Sequence, residues 1–279
     1  MPELPEVEVI RRDLDKEIAG KKVKAVEVDG MRSIRRYKQR KPFVEALVGR
    51  KFTGVERRGK YLLAKLDDGN VLVIHLGMSG QLRRAAGTKE ALIKHTHVVI
   101  TFTQGGQLRF IDPRTFGEMF VTPLSGIEEQ VEELAHLGLD PLDTVMSWDY
   151  FGDLVRQRHA KLKVALMDQK FIAGIGNIYS DEILHHAGLR WDRMSDELKP
   201  EEIRRLYRSL GEVLQDGVKY RGSSLADEQY VDLQGKKGSY QDHHQVYARE
   251  GQQCPRCRRP IVREKFSGRS TFYCQYCQV

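Results

Sequence analysis

The chain lacks any run approaching the roughly 18 apolar residues that a helical membrane span needs. Its start, MPELPEVE, lacks the basic-then-apolar leader of a secreted protein and instead carries Glu3 and Glu6. No membrane association is expected, and the expected location is the cytoplasm. There is no internal repeat, which excludes a solenoid or propeller. Cysteine is scarce: the 279 residues hold four, all in the last 26, so no disulfide framework can extend through the chain.

What is present is ordinary in amount and unusual in distribution. Apolar residues make up 40% and charged residues 30%, as in a globular protein long enough for two domains and a small appendage. The net charge is +7. Residues 31–60 hold eleven Lys/Arg against two Glu, and residues 251–279 hold six Lys/Arg against Glu264 alone. Residues 121–150 hold seven Asp/Glu and neither Lys nor Arg. Charge segregated in this way gives one basic surface, suited to nucleic acid through counterion release, and one solvated acidic one.

The four cysteines stand as Cys254-x2-Cys257 and Cys274-x2-Cys277, with 16 residues between the pairs. Two thiolates three positions apart reach one tetrahedral ion from a tight turn, so the pattern reads as a four-thiolate zinc site; a redox or disulfide pairing is the alternative. Four protein ligands leave no open position, so one structural zinc is expected. The adjacent pairs His185-His186 and His243-His244 cannot share an ion without strain, because neighbours on a helix point about 100° apart. They read as solvated or hydrogen-bonded surface groups.

Pro5 suits a first helical turn, and Val7, Ile10, Leu14 and Ile18 then recur at helical spacing up to Gly20. From Lys22 to about Val121 the segments KVKAVEV, YLLAKL, VLVIHL, HVVITF, QLRFI and MFV read as strands joined by short turns, which implies an antiparallel sandwich. Helical periodicity covers residues 151–170, 177–187 and 200–218. Residues 221–240 lack apolar periodicity and read as a long loop.

At the N-terminus, a small second residue permits removal of Met1, which would leave Pro2 with a free secondary amine. An α-amine titrates near ~8 against ~10.4 for lysine, so a sizeable fraction is unprotonated at neutral pH. Such an amine can form an iminium with a sugar aldehyde carbon, with Glu3 and Glu6 beside it as acid and base. The octapeptide alone favours the plainer reading, an ordinary Pro2 and two glutamates that merely suit a helix start.

MPELPEVE, HLGMSG, DPRTFG, AGIGNIYSDE and GRSTFYCQYCQ together resemble formamidopyrimidine-DNA glycosylase, in order and across the whole chain. The resemblance implies an α+β fold: an N-terminal antiparallel β-sandwich with a leading helix, then a helical domain with a helix–two-turn–helix motif, then a β-hairpin zinc finger. The expected division is 1–135, an acidic linker 136–150, 151–245 with a lesion-recognition loop about 222–240, and 246–279. Double-stranded DNA with oxidised bases or abasic sites would occupy the basic cleft, and a monomer suits an enzyme that scans DNA.

The resemblance also implies the chemistry. Pro2 would attack C1′ and displace an oxidised purine, 8-oxoguanine or a formamidopyrimidine, and the Schiff base would cut the strand by β,δ-elimination. Glu3 matches the proton donor for ring opening and Glu6 a supporting carboxylate. Lys60 matches the lysine of β-elimination, and Arg269 the hairpin arginine of δ-elimination. The base must be everted, so Met78, Arg114 and Phe116 match residues inserted into the duplex. Lys163, Asn177 and Tyr247 match phosphate contacts, with Asn177 as an N-cap. His95 and His75 match sandwich DNA contacts. His159 stands where Lys or Arg is usual, and Ser224 is the expected lesion contact.

Two rivals are endonuclease VIII, a relative preferring oxidised pyrimidines, and a non-catalytic DNA-binding protein. The segment GSSLADEQYVDLQGKKGSY and Leu4 speak against the first; Pro2, Glu3, Lys60 and Arg269 together speak against the second.

Overall fold

The leading helix α1 (Leu4–Ile18) forms where the apolar spacing placed it, with Pro5 in its first turn and Leu4, Val7, Ile10, Leu14 and Ile18 buried. Glu3 and Glu6 close its start as a capping box. The computed structural model describes residues 1–225 and 229–279 and divides into two units. One comprises residues 1–135 with 220–239, and the other residues 136–219 with 240–279.

In the first unit, α1 is followed by β1 (Val23–Val28), α2 (Arg40–Leu47), β2 (Phe52–Arg58), β3 (Tyr61–Leu66), β4 (Asn70–His75), β5 (Gln81–Ala85), β6 (Thr96–Phe102), β7 (Gln107–Ile111) and β8 (Glu118–Pro123). These strands form two four-stranded antiparallel sheets, ordered β1-β6-β7-β5 and β2-β3-β4-β8. Alternate residues of both sheets enter one core: Leu62, Ala64 and Leu66 of β3, Leu72 and Ile74 of β4, Val98, Ile100 and Phe102 of β6, Leu108 and Phe110 of β7. The apolar stripe of α1 completes that core.

All six strand segments read from the sequence are strands. The reading missed β2, where the inward, buried Arg57 breaks the apolar alternation, β5, where Arg83 and Arg84 interrupt it, and α2, which spans only 8 residues. Two short acidic helices, α3 (Ile127–Gln130) and α4 (Glu132–Ala135), close this part of the unit.

The segment expected to be a loop within the helical domain belongs instead to the sandwich unit. Tyr230 and Leu233 enter the sandwich core, and Arg84 N donates to Leu233 O. Asp232 folds the turn beyond them by accepting from Gln234 N and Lys236 N through one oxygen, while its other oxygen takes Arg221 Nη2 at 2.8 Å. Two apolar anchors in a polar segment leave no period to read, which is why the sequence showed only a loop. Its centre, residues 226–228, lies outside the described residues.

The second unit carries α5 (Trp148–Arg156), α6 (Leu162–Met167), α7 (Asn177–Ala187), α8 (Pro200–Lys219) and a hairpin of β9 (Val262–Phe266) and β10 (Arg269–Tyr273). The single helix expected over 151–170 is broken. Leu162 N and Lys163 N donate to Arg193 O and Trp191 O, and Ser195 N to Ala160 O, so tertiary partners replace the helical ladder there. In the hairpin, Ser267 (φ +48°) and Gly268 (φ +75°) give the two left-handed residues that a primed two-residue turn requires. No described helix is long and apolar enough to cross a membrane.

Candidate active site

Glu6 is 1% exposed, and its two oxygens serve two different segments. One accepts the Glu3 amide at 2.9 Å and the other the Ser223 amide at 2.7 Å. The start of α1, with Pro2 and Glu3 buried beside it, is thereby tied to the stem of the 220–239 segment. The approach is close: a Cβ on Gly222 (φ +78°) would stand 2.7 Å from Glu6 Cγ. Ser224 is buried, and its hydroxyl donates to Tyr230 O and accepts from Gly238 N, so it closes the stem of the loop.

Lys60 follows Gly59 (φ +54°) in the turn between β2 and β3 and is half-buried. Behind it, the fully buried Arg57 side chain donates through Nε to Glu8 at 3.0 Å and through Nη1 to Gly59 O at 3.2 Å. Burial alone would raise the Glu8 carboxyl. Hydrogen bonds from Arg11, Arg12 and Arg57 outweigh it and hold the group down at about 2.

The wedge candidates sit on two turns fastened to each other. Asp112, fully buried, accepts from Ser79 Oγ and Arg114 N on one oxygen and from Gly117 N, at 2.7 Å, on the other. Ser79 Oγ in turn accepts from Arg114 N at 3.2 Å. A Cβ on Gly77 (φ +61°) would lie 2.6 Å from Gly117 N and Phe116 C, so only glycine lets the turns meet. Thr115 takes φ +55° between Arg114 and Phe116, and Arg35 donates to the Phe116 and Gly117 carbonyls. The result presents Phe116, 50% exposed, with the Arg114 guanidinium 5.2 Å from its ring; Met78 is half-buried on the facing turn. Large apolar side chains normally leave water, so the strained, buttressed display of Phe116 suits insertion.

The histidines of this unit differ. His95 is exposed on a left-handed backbone (φ +67°), and its carbonyl accepts Asp112 N. His75 ends β4, stacked 4.5 Å from the Tyr61 ring, and burial lowers it to about 4. It is therefore neutral at pH 7 and offers phosphate no cation.

In the second unit, Gly176 is the N-cap of α7 and Asn177 its first residue, contrary to expectation. The reason is a tertiary bond: Asn177 Nδ2 donates to Ser270 O of the hairpin at 2.9 Å instead of its side chain closing the helix. Lys163 is only 3% exposed and pairs with Asp181, whose second oxygen accepts Phe272 N at 2.9 Å. Burial raises Asp181 to about 7 against the opposing pull of Lys163 and Phe272 N. Lys163 and Arg269 nevertheless line one recess of about 270 Å³ with Val164, Met167 and Phe266. Arg269 is exposed at the hairpin tip. Tyr247 packs edge-on against Phe272, 5.1 Å between centroids. His159 is exposed and bonded to Asp196 at 2.7 Å, which raises its affinity for a proton.

The sequence reading missed Asp112, Ser79, Asp181 and Glu182. Glu182, fully buried, accepts the amides of Gln245, Val246 and Tyr247. Burial keeps its carboxyl above the usual range. The available signal was acidic residues inside otherwise apolar motifs, where a buried carboxylate must have donors.

The four cysteine sulfurs lie within 4.8 Å of one another, the one such cluster of metal-binding groups among the described residues. Cys254 and Cys277 Sγ are 3.9 Å apart and Cys257 and Cys274 Sγ 3.5 Å. Tetrahedral coordination with Zn–S near 2.3 Å places sulfurs roughly 3.8 Å apart, so the set fits one zinc. Expected to be surface groups, the histidines of the adjacent pairs divide instead. His185 and His244 are buried, because His185 faces Cys254 and His244 packs on Tyr240 and Tyr247.

Comparison with known proteins follows the same three-part division. Residues 1–119 match the family model of the formamidopyrimidine-DNA glycosylase N-terminal domain, and 137–229 that of the formamidopyrimidine-DNA glycosylase H2TH domain. Residues 251–279 match the zinc finger found in FPG and IleRS. Formamidopyrimidine-DNA glycosylase of Pelotomaculum thermopropionicum is 41% identical over 278 residues, covering 100% of this chain and 99% of the relative. That of Desulforamulus reducens is 42% identical over 279 residues, with 100% and 99% covered. Among solved structures, the MutM (Fpg) protein of Thermus thermophilus superposes with TM-score 0.88 at 38% identity, covering 99% of this chain and 98% of that one. The Lactococcus lactis enzyme in complex with abasic-site DNA gives 0.90 at 32%, with 99% of each chain covered.

Proposed function

Because the chain belongs to the formamidopyrimidine-DNA glycosylase family, we propose that Pro2, freed of Met1, is the nucleophile of its reaction. The chain is a base-excision-repair glycosylase for oxidised purines, with AP lyase activity. The observation that carries the residue assignment is Glu6, whose carboxylate holds the Glu3 amide and the Ser223 amide at once. The residue that follows the nucleophile and the stem of the lesion loop thus share one support.

In this reading the Pro2 nitrogen forms a bond to C1′ as the glycosidic bond breaks and the base leaves with the electron pair. Glu3 protonates the ring oxygen, which opens the sugar and leaves an iminium on Pro2. Lys60, fixed from behind by Arg57, moves the proton of β-elimination, and Arg269 grips the phosphate that leaves in δ-elimination. Phe116, Met78 and Arg114 fill the gap left by the everted base. Asn177, Tyr247, His95 and His159 contact phosphate, and Lys163 joins them once its pairing with Asp181 is exchanged for the DNA backbone. His75, neutral and stacked, serves as a hydrogen-bonding or packing group. Ser224 shapes the loop over the lesion through its stem.

The segment about 222–240 is the lesion cap, 136–150 an acidic linker and 246–279 the zinc hairpin. Zinc held by Cys254, Cys257, Cys274 and Cys277 supplies structure alone. The enzyme works as a monomer on duplex DNA in the cytoplasm, without a membrane.

Borohydride reduction in the presence of a duplex containing 8-oxoguanine tests the assignment. A covalent adduct at Pro2 in Met1-free protein is expected, with less on a duplex containing an oxidised pyrimidine. No adduct, with Met1 shown to be absent, overturns the nucleophile; stronger trapping on the pyrimidine duplex overturns the substrate class.

A further inference from the structure

His185 lies in the last turn of α7 and is 1% exposed. Its Nε2 stands 3.5 Å from Cys254 Sγ, within hydrogen-bonding range for sulfur. Its Nδ1 is buried with no hydrogen-bond partner among the described residues. A neutral imidazole carries its one hydrogen on one nitrogen, and the other is then an acceptor. Burying an N–H without an acceptor is rarer and costlier than burying an unpartnered lone pair. The hydrogen therefore belongs on Nε2, directed at the sulfur.

The surroundings give this contact a purpose. The hairpin module grips the C-terminal end of α7 through backbone groups: Gln278 Nε2 donates to Leu189 O, its Oε1 accepts Cys274 N, and Arg256 donates to His186 O. Among the described residues, the His185 contact is the helix side-chain contact that reaches a metal-binding sulfur. Four thiolates around one dication leave a net negative cluster, and an N–H directed at one sulfur stabilises that charge.

We propose that His185 is an outer partner of the zinc site, donating a hydrogen bond from Nε2 to the Cys254 thiolate. It couples retention of the ion to the end of α7, the same helix whose first residue, Asn177, bonds the hairpin at Ser270. Loss of the donor weakens the metal's hold on Cys254 and loosens the hairpin that carries Arg269.

The test uses the zinc-loaded full chain and reads metal release, not excision. His185→Phe keeps a ring of similar volume and removes the donor, while His185→Gln places an N–H near the position of Nε2. Release of zinc to a chromogenic chelator should be about 10- to 100-fold faster in the Phe variant and within about threefold of the parent in the Gln variant. Release from the Phe variant at the parent rate overturns the proposal. So does equally fast release from both variants, since packing would then explain the effect. If the Phe variant fails to fold, nitrogen NMR of the unsubstituted zinc-loaded chain decides. A proton on Nε2 of His185 supports the bond, and a proton on Nδ1 overturns it.

Discussion

Both units use buried carboxylates to hold the segments proposed to meet DNA, but the two sets live in opposite electrostatic conditions. In the sandwich unit, Glu8 lies among three guanidiniums and is held down at about 2. Its neighbour Glu6 serves two amides at the start of α1 and the loop stem. In the helical unit, Asp181 and Glu182 sit side by side on α7, and burial raises both. They bind the hairpin and the 245–247 segment through backbone amides, with one buried lysine between them and neutrality. The first arrangement fixes charge near the residues proposed for the chemistry; the second clamps backbone and tolerates a weakly held charge. A carboxylate's burial thus says little until its donors are counted.

The comparison can be broken most severely at the N-terminus. Protein retaining Met1 has an amide nitrogen at Pro2 and should show no borohydride trapping, while gel-shift affinity for an abasic-site duplex persists. Trapping by such protein would remove Pro2 from the mechanism. Next in size is Asp181→Asn, which takes the carboxylate from the buried Lys163 ammonium and should cost about 3–5 kcal/mol, read as a lowered urea midpoint. A shift under 1 kcal/mol, roughly the level of an exposed pair, would show that the α7 clamp does not depend on charge.

Asp112→Ala unfastens the two wedge turns. Excision of 8-oxoguanine should fall about 100-fold in kcat/KM, the scale of a misplaced reacting geometry. Incision at a pre-formed abasic site should fall less than tenfold, since less base eversion is needed. Equal losses on both substrates would make Asp112 a general stability residue.

The smallest effect concerns acid. The folded Glu8 lies below its ordinary value, so its contribution is complete above about 4.5 and is lost as pH falls toward 2. Glu8→Gln should lower stability near neutrality on the order of 2 kcal/mol, discounted because Arg11 and Arg12 stand partly in water. The gap between variant and parent should shrink below about pH 4.5 and close only as pH falls through about 2 in thermal melts; a constant gap would contradict the pH assignment.

Much of this is legible in the amino-acid sequence alone. The α1 stripe, six strands and the paired CxxC motifs follow from local rules: helical and strand periods, and the reach of two thiolates from one turn. The strand β2 was hidden because the buried Arg57 takes an inward position, β5 because Arg83 and Arg84 interrupt its apolar residues, and the break between α5 and α6 because it depends on partners at residues 191–195. The residues proposed for the chemistry were legible through family motifs, whereas their supports were not.

Sequence alone therefore determined which side chains are proposed to meet DNA: Pro2, Lys60, Phe116 and Arg269 stand in motifs short enough to read. The tertiary structure decided how each is held. Only folding places Ser223 against Glu6, Gly117 against Asp112 and His185 against Cys254, pairs separated by 217, 5 and 69 positions. A buried carboxylate, thiolate or imidazole must satisfy its polar atoms, and the partner that does so is chosen by packing in space.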